Sequence, residues 1–243
     1  MKLIGFIGYS EKIDLVCSYA KVINMLGKTT LVIDATLVKK YKYCIPSIES
    51  RDDAFLTRYD GVDYAVGFES MNDVENYLCD NKVNINLYDY IIVDIDDAKQ
   101  YEFFRTKVFD KRYFVFDTNI IALKKNKEII EAVKIYNKEN IKEENNKIKK
   151  ILYRAYMTRA SEKYFNNELE KDSDMFEENY LELLDDEQDK MLFLDSLISG
   201  YMNLKKHSKM FITTLCELIR DMEPENDIYS LKKIIKKGGV SNG

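Results

Sequence analysis

The chain has 243 residues, of which 46% are apolar and 33% are charged, and its formal net charge is −5 at pH 7. This length and apolar content suit one large domain or two small ones, and the acidity gives no overall basic footprint for nucleic acid, although a local basic patch stays open. Four widely spaced cysteines and the single His207 predict neither a disulfide framework nor a metal cluster. Without a signal peptide or a run of about 18 apolar residues, we expect a cytoplasmic protein.

The first elements are predicted to form a β-α-β unit. KLIGFI (Lys2–Ile7) is a short apolar run that favours a buried strand. From Ser10 the apolar residues follow helical spacing as far as Gly27, a residue type that often ends helices. TTLVI (Thr29–Ile33) is rich in the β-branched residues typical of strands. Units of this kind build parallel sheets.

The same alternation continues along the chain. Further strands are predicted at Val62–Phe68, Tyr90–Val93, Tyr113–Phe116 and, as the last one, Ile151–Met157. Helices are predicted at Met71–Cys79, Ile120–Asn137, Ser161–Glu170, Asp186–Ile198 and Ser208–Met222. Lys138–Lys150 is interpreted as a helix extension and loop, and the acidic run Glu168–Asp189 as a solvated helical face. The prediction is an α/β fold, a mostly parallel sheet with helices on both faces, over residues 1–225, followed by a tail, 226–243.

Three strand-end positions are candidates for a ligand site. They are the turn Gly8–Lys12 after the first strand, Asp34 after the second, and Asp94 after YIIV. In an α/β sheet, ligands bind beyond the carboxyl ends of the strands. A strand–loop–helix turn holds phosphate with backbone N–H groups, and two acidic residues nearby could arrange Mg²⁺ or a water. The alternative is that each aspartate is a solvated cap.

Two segments resemble the ParA/MinD family of deviant P-loop ATPases, of the SIMIBI class. LGKTTLVID (Leu26–Asp34) is similar to the end of the family's first β-α-β unit, and YDYIIVD (Tyr88–Asp94) to its Walker B segment. Counting back from Asp34 by the family's spacing places Lys12 at the P-loop lysine. Leu194–Met222 also resembles the family's final region. The resemblance covers most of the chain and implies a P-loop NTPase-like fold with ATP and Mg²⁺ as cofactors.

The tetrapeptide GKTT at Gly27–Thr30 is not the phosphate-binding loop. A Walker A motif follows a strand and opens a helix, with another glycine five residues before its second glycine. Here GKTT follows a predicted helix and opens a strand, and Val22 stands where that glycine should be. We interpret it as an ordinary helix-to-strand turn.

The loop at the true position is degenerate compared with the family's. Gly8 and Lys12 are kept. The replacements are Tyr9 and Glu11 for loop glycines, Ile13 for the threonine that holds Mg²⁺, Ile7 for the signature lysine, and Thr36 for a second aspartate after strand two. Because phosphoryl transfer depends on positioning and electrostatic stabilisation, these losses predict weak or absent hydrolysis. They leave nucleotide binding open.

The resemblance also implies residue roles. Lys12 and Asp34 are the candidate catalytic residues, and Asp94 is the candidate Mg²⁺ ligand. The candidate nucleotide-binding residues are Gly8, Lys12, Thr158 and Arg159, with Thr158 at the position of the family's asparagine near the adenine edge.

The C-terminal tail contains a basic amphipathic segment, Ile228–Lys237. Isoleucine and leucine share one helical face and four lysines share the other, a pattern typical of membrane-surface or partner-docking helices. It resembles the C-terminal membrane-targeting helix of MinD, which implies a peripheral location at the inner face of the membrane. The alternative is a surface helix packed on its own domain.

The function favoured by the sequence is a localisation or assembly scaffold that acts through protein contacts and self-association as a homodimer. Pilus-assembly proteins of the TadZ/CpaE kind offer the narrower analogy. One alternative is a slow Mg-ATPase that uses Lys12, Asp34 and Asp94, and whose nucleotide-gated dimer positions a cargo such as pilus or secretion machinery, a plasmid or a division site. A second is a DNA-partitioning or conjugation accessory protein, which the acidity makes less favoured.

Overall fold

The computed structural model describes residues 1–45, 53–105, 108–139, 147–155, 158–170 and 172–238. They form an eight-stranded sheet in the order β3-β4-β2-β5-β1-β6-β7-β8. The strands are β1 (Lys2–Ile7), β2 (Thr30–Ala35), β3 (Phe55–Tyr59), β4 (Val62–Val66), β5 (Tyr90–Ile95), β6 (Lys111–Phe116), β7 (Ile148–Ala155) and β8 (Phe176–Leu184). The β3–β4 pair is antiparallel and every other pair is parallel.

Helices cover both faces of this sheet. They are α1 (Ile13–Met25), α2 (Tyr41–Cys44), α3 (Met71–Asp80), α4 (Ala98–Phe104), α5 (Ile120–Glu139), α6 (Arg159–Glu170), α7 (Glu187–Ser199), α8 (Lys209–Met222) and α9 (Ile228–Lys237). Short 3₁₀ turns occur at Ile85–Leu87, Ser173–Met175 and Leu204–Lys206. The predicted fold class, a mostly parallel α/β sheet between helical layers, is confirmed.

Side chains of the central strand β1 point alternately to the two faces of the sheet, so they contribute to two separate cores. Ile4 and Phe6 of β1 belong to the core under α1, α8 and α9. Leu3 and Ile7 belong to the core under α3, α4, α5 and α6. Apolar residues on both faces explain why β1, β2, β5 and β6 read as continuous apolar runs, since parallel strands are covered on each side.

The register brings the predicted site positions to one edge of the sheet. Asp34 of β2 lies directly opposite Asp94 of β5, and Ile7 at the end of β1 lies opposite Ile95. The turn after β1 and the loops after β2, β5 and β6 therefore meet beyond the carboxyl ends of the four central strands, where ligands bind in open α/β sheets.

Strand β3 was not predicted from the sequence. It pairs with β4 through a tight turn at Asp60–Gly61, where both residues have positive φ (47° and 86°). An Asp-Gly pair between two short β-branched or aromatic runs is a strong hairpin signal, so the hairpin could have been predicted from these residues.

The interpretation of the acidic run Glu168–Asp189 as a helical face was wrong over Phe176–Leu184, which forms β8, a strand at one edge of the sheet. Ile151–Met157 was therefore not the last strand, and β7 begins earlier, at Ile148. Glu178 and Glu182 of β8 are exposed, and the solvated acidic side chains hid the strand pattern. Residues 140–146 and 156–157, which fall within two predicted segments, lie outside the described residues.

The amphipathic tail segment forms α9, and its apolar face contacts the domain. Leu231 and Ile235 are buried in the same core as α1 and α8, while Lys233, Lys236 and Lys237 are exposed. Of the two arrangements considered for this segment, the structure has the helix packed on its own domain. In the described ranges, no helix is long and apolar enough to cross a membrane.

Candidate functional site

The turn after β1 depends on a glycine at its first position. Gly8 has φ of +130°, and a Cβ built there would lie 2.3 Å from the Val115 carbonyl oxygen of β6. The first two backbone donors of the turn are used within the protein. The Gly8 N–H donates to Ile95 O at 2.9 Å, and the Tyr9 N–H donates to Asn126 Oδ1 at 2.8 Å. The turn is thereby fastened to β5 and α5.

We expect Gly8→Ala to lower the free energy of unfolding by roughly 2–5 kcal/mol, because backbone strain and a close contact add. Gly27→Ala is the matched control, since Gly27 also has positive φ (+79°) but a Cβ there meets nothing within 4 Å. The control should lose about 1–2 kcal/mol, the cost of a left-handed residue alone. Equal losses in urea titrations of the two variants would contradict the close packing of this turn on β6.

Lys12 turns back into the protein and forms a buried ion pair with Asp94. Its Nζ lies 2.7 Å from Asp94 Oδ1, and both side chains are 1% exposed. The same Nζ donates to Gly8 O at 2.6 Å and to Ile95 O at 3.2 Å. Tyr41 Oη donates to the other carboxylate oxygen of Asp94 at 2.9 Å. Burial raises the pKa of the Asp94 carboxyl, and the Lys12 amine opposes that shift.

Asp34 organises the loop after β2. One carboxylate oxygen accepts from the Thr36 N–H (3.0 Å) and hydroxyl (2.6 Å), and the other accepts from the Tyr41 N–H (3.0 Å). Burial raises the pKa of Asp34 to about 6, against the lowering effect of the Thr36 hydrogen bonds. In this arrangement Asp34 fixes the segment that delivers Tyr41 to Asp94.

A cleft of about 460 Å³ opens above this buried cluster, beyond the ends of the central strands. It is lined by Tyr9, Ser10, Glu11, Leu37, Val38, Lys40, Asp96, Asp117, Asn119, Ile121 and Ala122. Lys40 Nζ bridges two of the carboxylates, at 2.8 Å from Asp96 and 3.4 Å from Glu11. The pKa of Lys40 is raised, because the attraction of Asp96 and Glu11 exceeds the effect of burial.

The predicted nucleotide-binding residues are not all brought together. Gly8, Lys12, Asp34 and Asp94 meet below the cleft, whereas Thr158 and Arg159 are exposed at the start of α6 and are not among the residues that line it. Ile13 is 5% exposed and part of the core. Within the described ranges, no group of three or more His, Cys, Asp or Glu side chains is placed to hold a metal ion.

These residues do not fit a nucleotide with Mg²⁺ in this arrangement. Lys12 and Asp94, which would meet phosphate and metal, are turned toward each other. Ile13 offers no hydroxyl oxygen, the kind of ligand that Mg²⁺ prefers.

Two contacts at this end of the sheet were missed from the sequence. Tyr41 comes from a four-residue helix that follows strand two, and no pattern in the sequence placed it near Asp94. Asp14, in the first turn of α1, forms an ion pair with Arg154 at 2.5 Å, and Arg154 has a positive φ of 51°. A charged residue among the apolar positions of α1 was the available signal for this second pair.

No protein-family model and no curated protein matches the sequence. Solved structures match over nearly the whole chain. A ParA family ATPase from Chlorobium tepidum TLS has 15% identity and a TM-score of 0.53, over 97% of this chain and 96% of that one. The MinD cell division protein of Aquifex aeolicus has 14% identity and a TM-score of 0.54, over 93% and 99%. An ATP complex of a McdA variant from Cyanothece has 12% identity and a TM-score of 0.56, over 93% and 98%. The chain therefore has the fold of the ParA/MinD family of ATPases.

Proposed function

We propose that this protein is a localisation or assembly scaffold that works through protein–protein contacts, including a homodimer, without a nucleotide cycle. The observation that carries the proposal is the buried pair of Lys12 and Asp94. In P-loop proteins the corresponding lysine reaches the β- and γ-phosphates. Here the lysine pairs with Asp94, the strand-end carboxylate that would otherwise be a ligand of Mg²⁺.

Lys12 is held by three contacts. Its ammonium donates hydrogen bonds to Gly8 O and Ile95 O and forms an ion pair with Asp94 Oδ1. A phosphate would have to displace these contacts and leave Asp94 as an unpaired buried charge, which is strongly unfavourable. The exposed side chain of Glu11, which lies within the same turn, adds repulsion toward a phosphate.

The structural comparisons support a role in positioning through protein partners. MinD of Aquifex aeolicus also matches in the structure of its complex with MinC, with a TM-score of 0.53. The proposal includes pilus-assembly machinery as the cargo, by analogy with proteins of the TadZ/CpaE kind. Membrane contact through Ile228–Lys237 is not included, because Leu231 and Ile235 are buried.

Calorimetric titration with ATP, with and without Mg²⁺, tests the proposal. We expect no saturable binding up to about 1 mM, which corresponds to a binding free energy weaker than ~4 kcal/mol. ATP turnover should be no faster than in Lys12→Ala. Saturable ATP binding that Lys12→Ala abolishes, or a turnover rate that depends on Lys12, would instead support the slow Mg-ATPase.

A further inference from the structure

The cleft above the Lys12–Asp94 pair has an excess of negative charge. Its lining contains three carboxylates, from Glu11, Asp96 and Asp117, and one cation, Lys40. Lys40 pairs with Asp96 and, more distantly, with Glu11. With the Lys12 amine withdrawn to 1% exposure, no second cation of the described residues reaches the cleft lining to balance the carboxylates.

Asp117 is the carboxylate left without a cation. Its Oδ1 accepts the Asn119 N–H at 2.8 Å, and across the described ranges no ion pair involves it. An adjoining cleft is lined by both Glu11 and Asp117, together with two cations, Arg154 and Lys190. Those two cations are paired elsewhere, Arg154 with Asp14 and Lys190 with Asp185, each at 2.5 Å.

The rim of the cleft is apolar and exposed. Leu37 and Val38, from the loop after β2, are 53% and 60% exposed, and Ile121 of α5 is 60% exposed. Tyr9, on the turn after β1, is also exposed. Exposed apolar residues around a concave site are typical of surfaces that bind a partner.

We propose that this cleft docks a lysine or arginine side chain of a partner polypeptide, with apolar residues of the partner on the rim. The cation would lie between Asp117 and Glu11, and its apolar neighbours would cover Leu37, Val38 and Ile121. Charge complementarity of this kind selects partners and fixes their register. The proposal rests on the scaffold function, because it supplies the chemistry of the protein contact where a nucleotide would otherwise lie.

Methyl NMR of the full chain, labelled at Ile, Leu, Val and Ala, tests this with three tripeptides. The probes are N-acetylated, C-amidated Leu-Arg-Leu, Leu-Gln-Leu and Leu-Glu-Leu. We expect Leu-Arg-Leu to shift the methyl signals of Val38, Ile121 and Ala122 saturably, and the other two to bind more weakly in the order Gln, then Glu. Asp117→Asn should weaken Leu-Arg-Leu about three- to fivefold, the range of a partly solvated ion pair.

Asp80→Asn is the control variant, because Asp80 is exposed at the end of α3, which leads into the amino end of β5. It should leave the titration unchanged. Equal shifts by all three peptides, or none from Leu-Arg-Leu at 10 mM (a limit of about −2.7 kcal/mol), would overturn the docking proposal while leaving the scaffold function intact. Methyl shifts with protein concentration alone would assign the cleft to a second copy and overturn the proposed cation docking. Saturable binding of Mg²⁺-pyrophosphate would identify a phosphate site and overturn both proposals.

Discussion

Lys12→Ala is expected to lower the free energy of unfolding by about 3–5 kcal/mol, the usual cost of removing one partner of a buried ion pair. The variant leaves the Asp94 carboxylate at 1% exposure with Tyr41 Oη as its hydrogen-bond donor. Burial already raises the pKa of Asp94, and loss of the amine removes the interaction that opposes this shift. The folded variant therefore binds a proton more tightly than the unfolded chain, so its stability should fall as pH rises. Urea titrations at pH 5 and pH 8 measure both effects.

Lys40→Ala is the matched control for this variant. Lys40 lies in the same region and also pairs with carboxylates, but its side chain is 21% exposed. Lys40→Ala should lose about 1–3 kcal/mol, less than Lys12→Ala, because Asp96 is 4% exposed but keeps the Leu37 N–H as a hydrogen-bond donor. A double variant, Lys12→Met with Asp94→Leu, should recover most of the lost stability, because apolar residues can replace a buried pair. A loss below about 1 kcal/mol for Lys12→Ala, with no change between the two pH values, would show that the pair is not the buried contact described.

Leu231→Asp is expected to cost about 3–5 kcal/mol, since it removes a buried leucine and places a carboxylate in the core. Leu231 is 0% exposed and packs in the core shared by α1 and α8. Thermal or urea unfolding of the full chain is the measurement. This result would show that the apolar face of α9 contributes to the stability of the domain. A chain ending before Ile228 should then also have a lower free energy of unfolding.

Lys233→Asp introduces the same side chain on the exposed face of α9. It should lose no more than about 1 kcal/mol, from the less favourable charge near the helix C-terminus. If Leu231→Asp and Lys233→Asp were equally mild, α9 would be free of the domain. Co-sedimentation of the intact protein with anionic and neutral vesicles would then decide whether the free helix binds lipid.

The central strands could be predicted because their burial on both faces leaves a simple apolar signal. β1, β2, β5 and β6 all fall where such runs occur. β8 could not be predicted in this way, since exposed glutamates replace one half of the expected alternation. β3 has only five residues, and the signal for it in the sequence was the Asp60–Gly61 turn.

The position of the candidate site could be predicted, but not its internal pairing. Because Lys12, Asp34 and Asp94 follow predicted parallel strands, we expect them at one edge of the sheet. The register of β2 with β5 agrees. That Lys12 would turn onto Asp94 follows from side-chain geometry, which spacing along the chain does not encode. The contact of Tyr41 with Asp94 could not be predicted, because Tyr41 lies on a short helix in the loop after β2. Thr158 and Arg159 were assigned by analogy and remain predictions as ligand contacts.

The acidic edge strand has a consequence for how copies of this chain meet. β8 ends the sheet, so one side of its backbone has no strand partner among the described elements, and such an edge can recruit the edge of another molecule. Glu178 and Glu182 of this strand are exposed, whereas Glu177 forms an ion pair with Lys111. Two β8 edges brought side by side would crowd the two exposed carboxylates, and the repulsion opposes sheet extension from copy to copy. The same glutamates that concealed the strand in the sequence thus protect the protein against aggregation through its open edge.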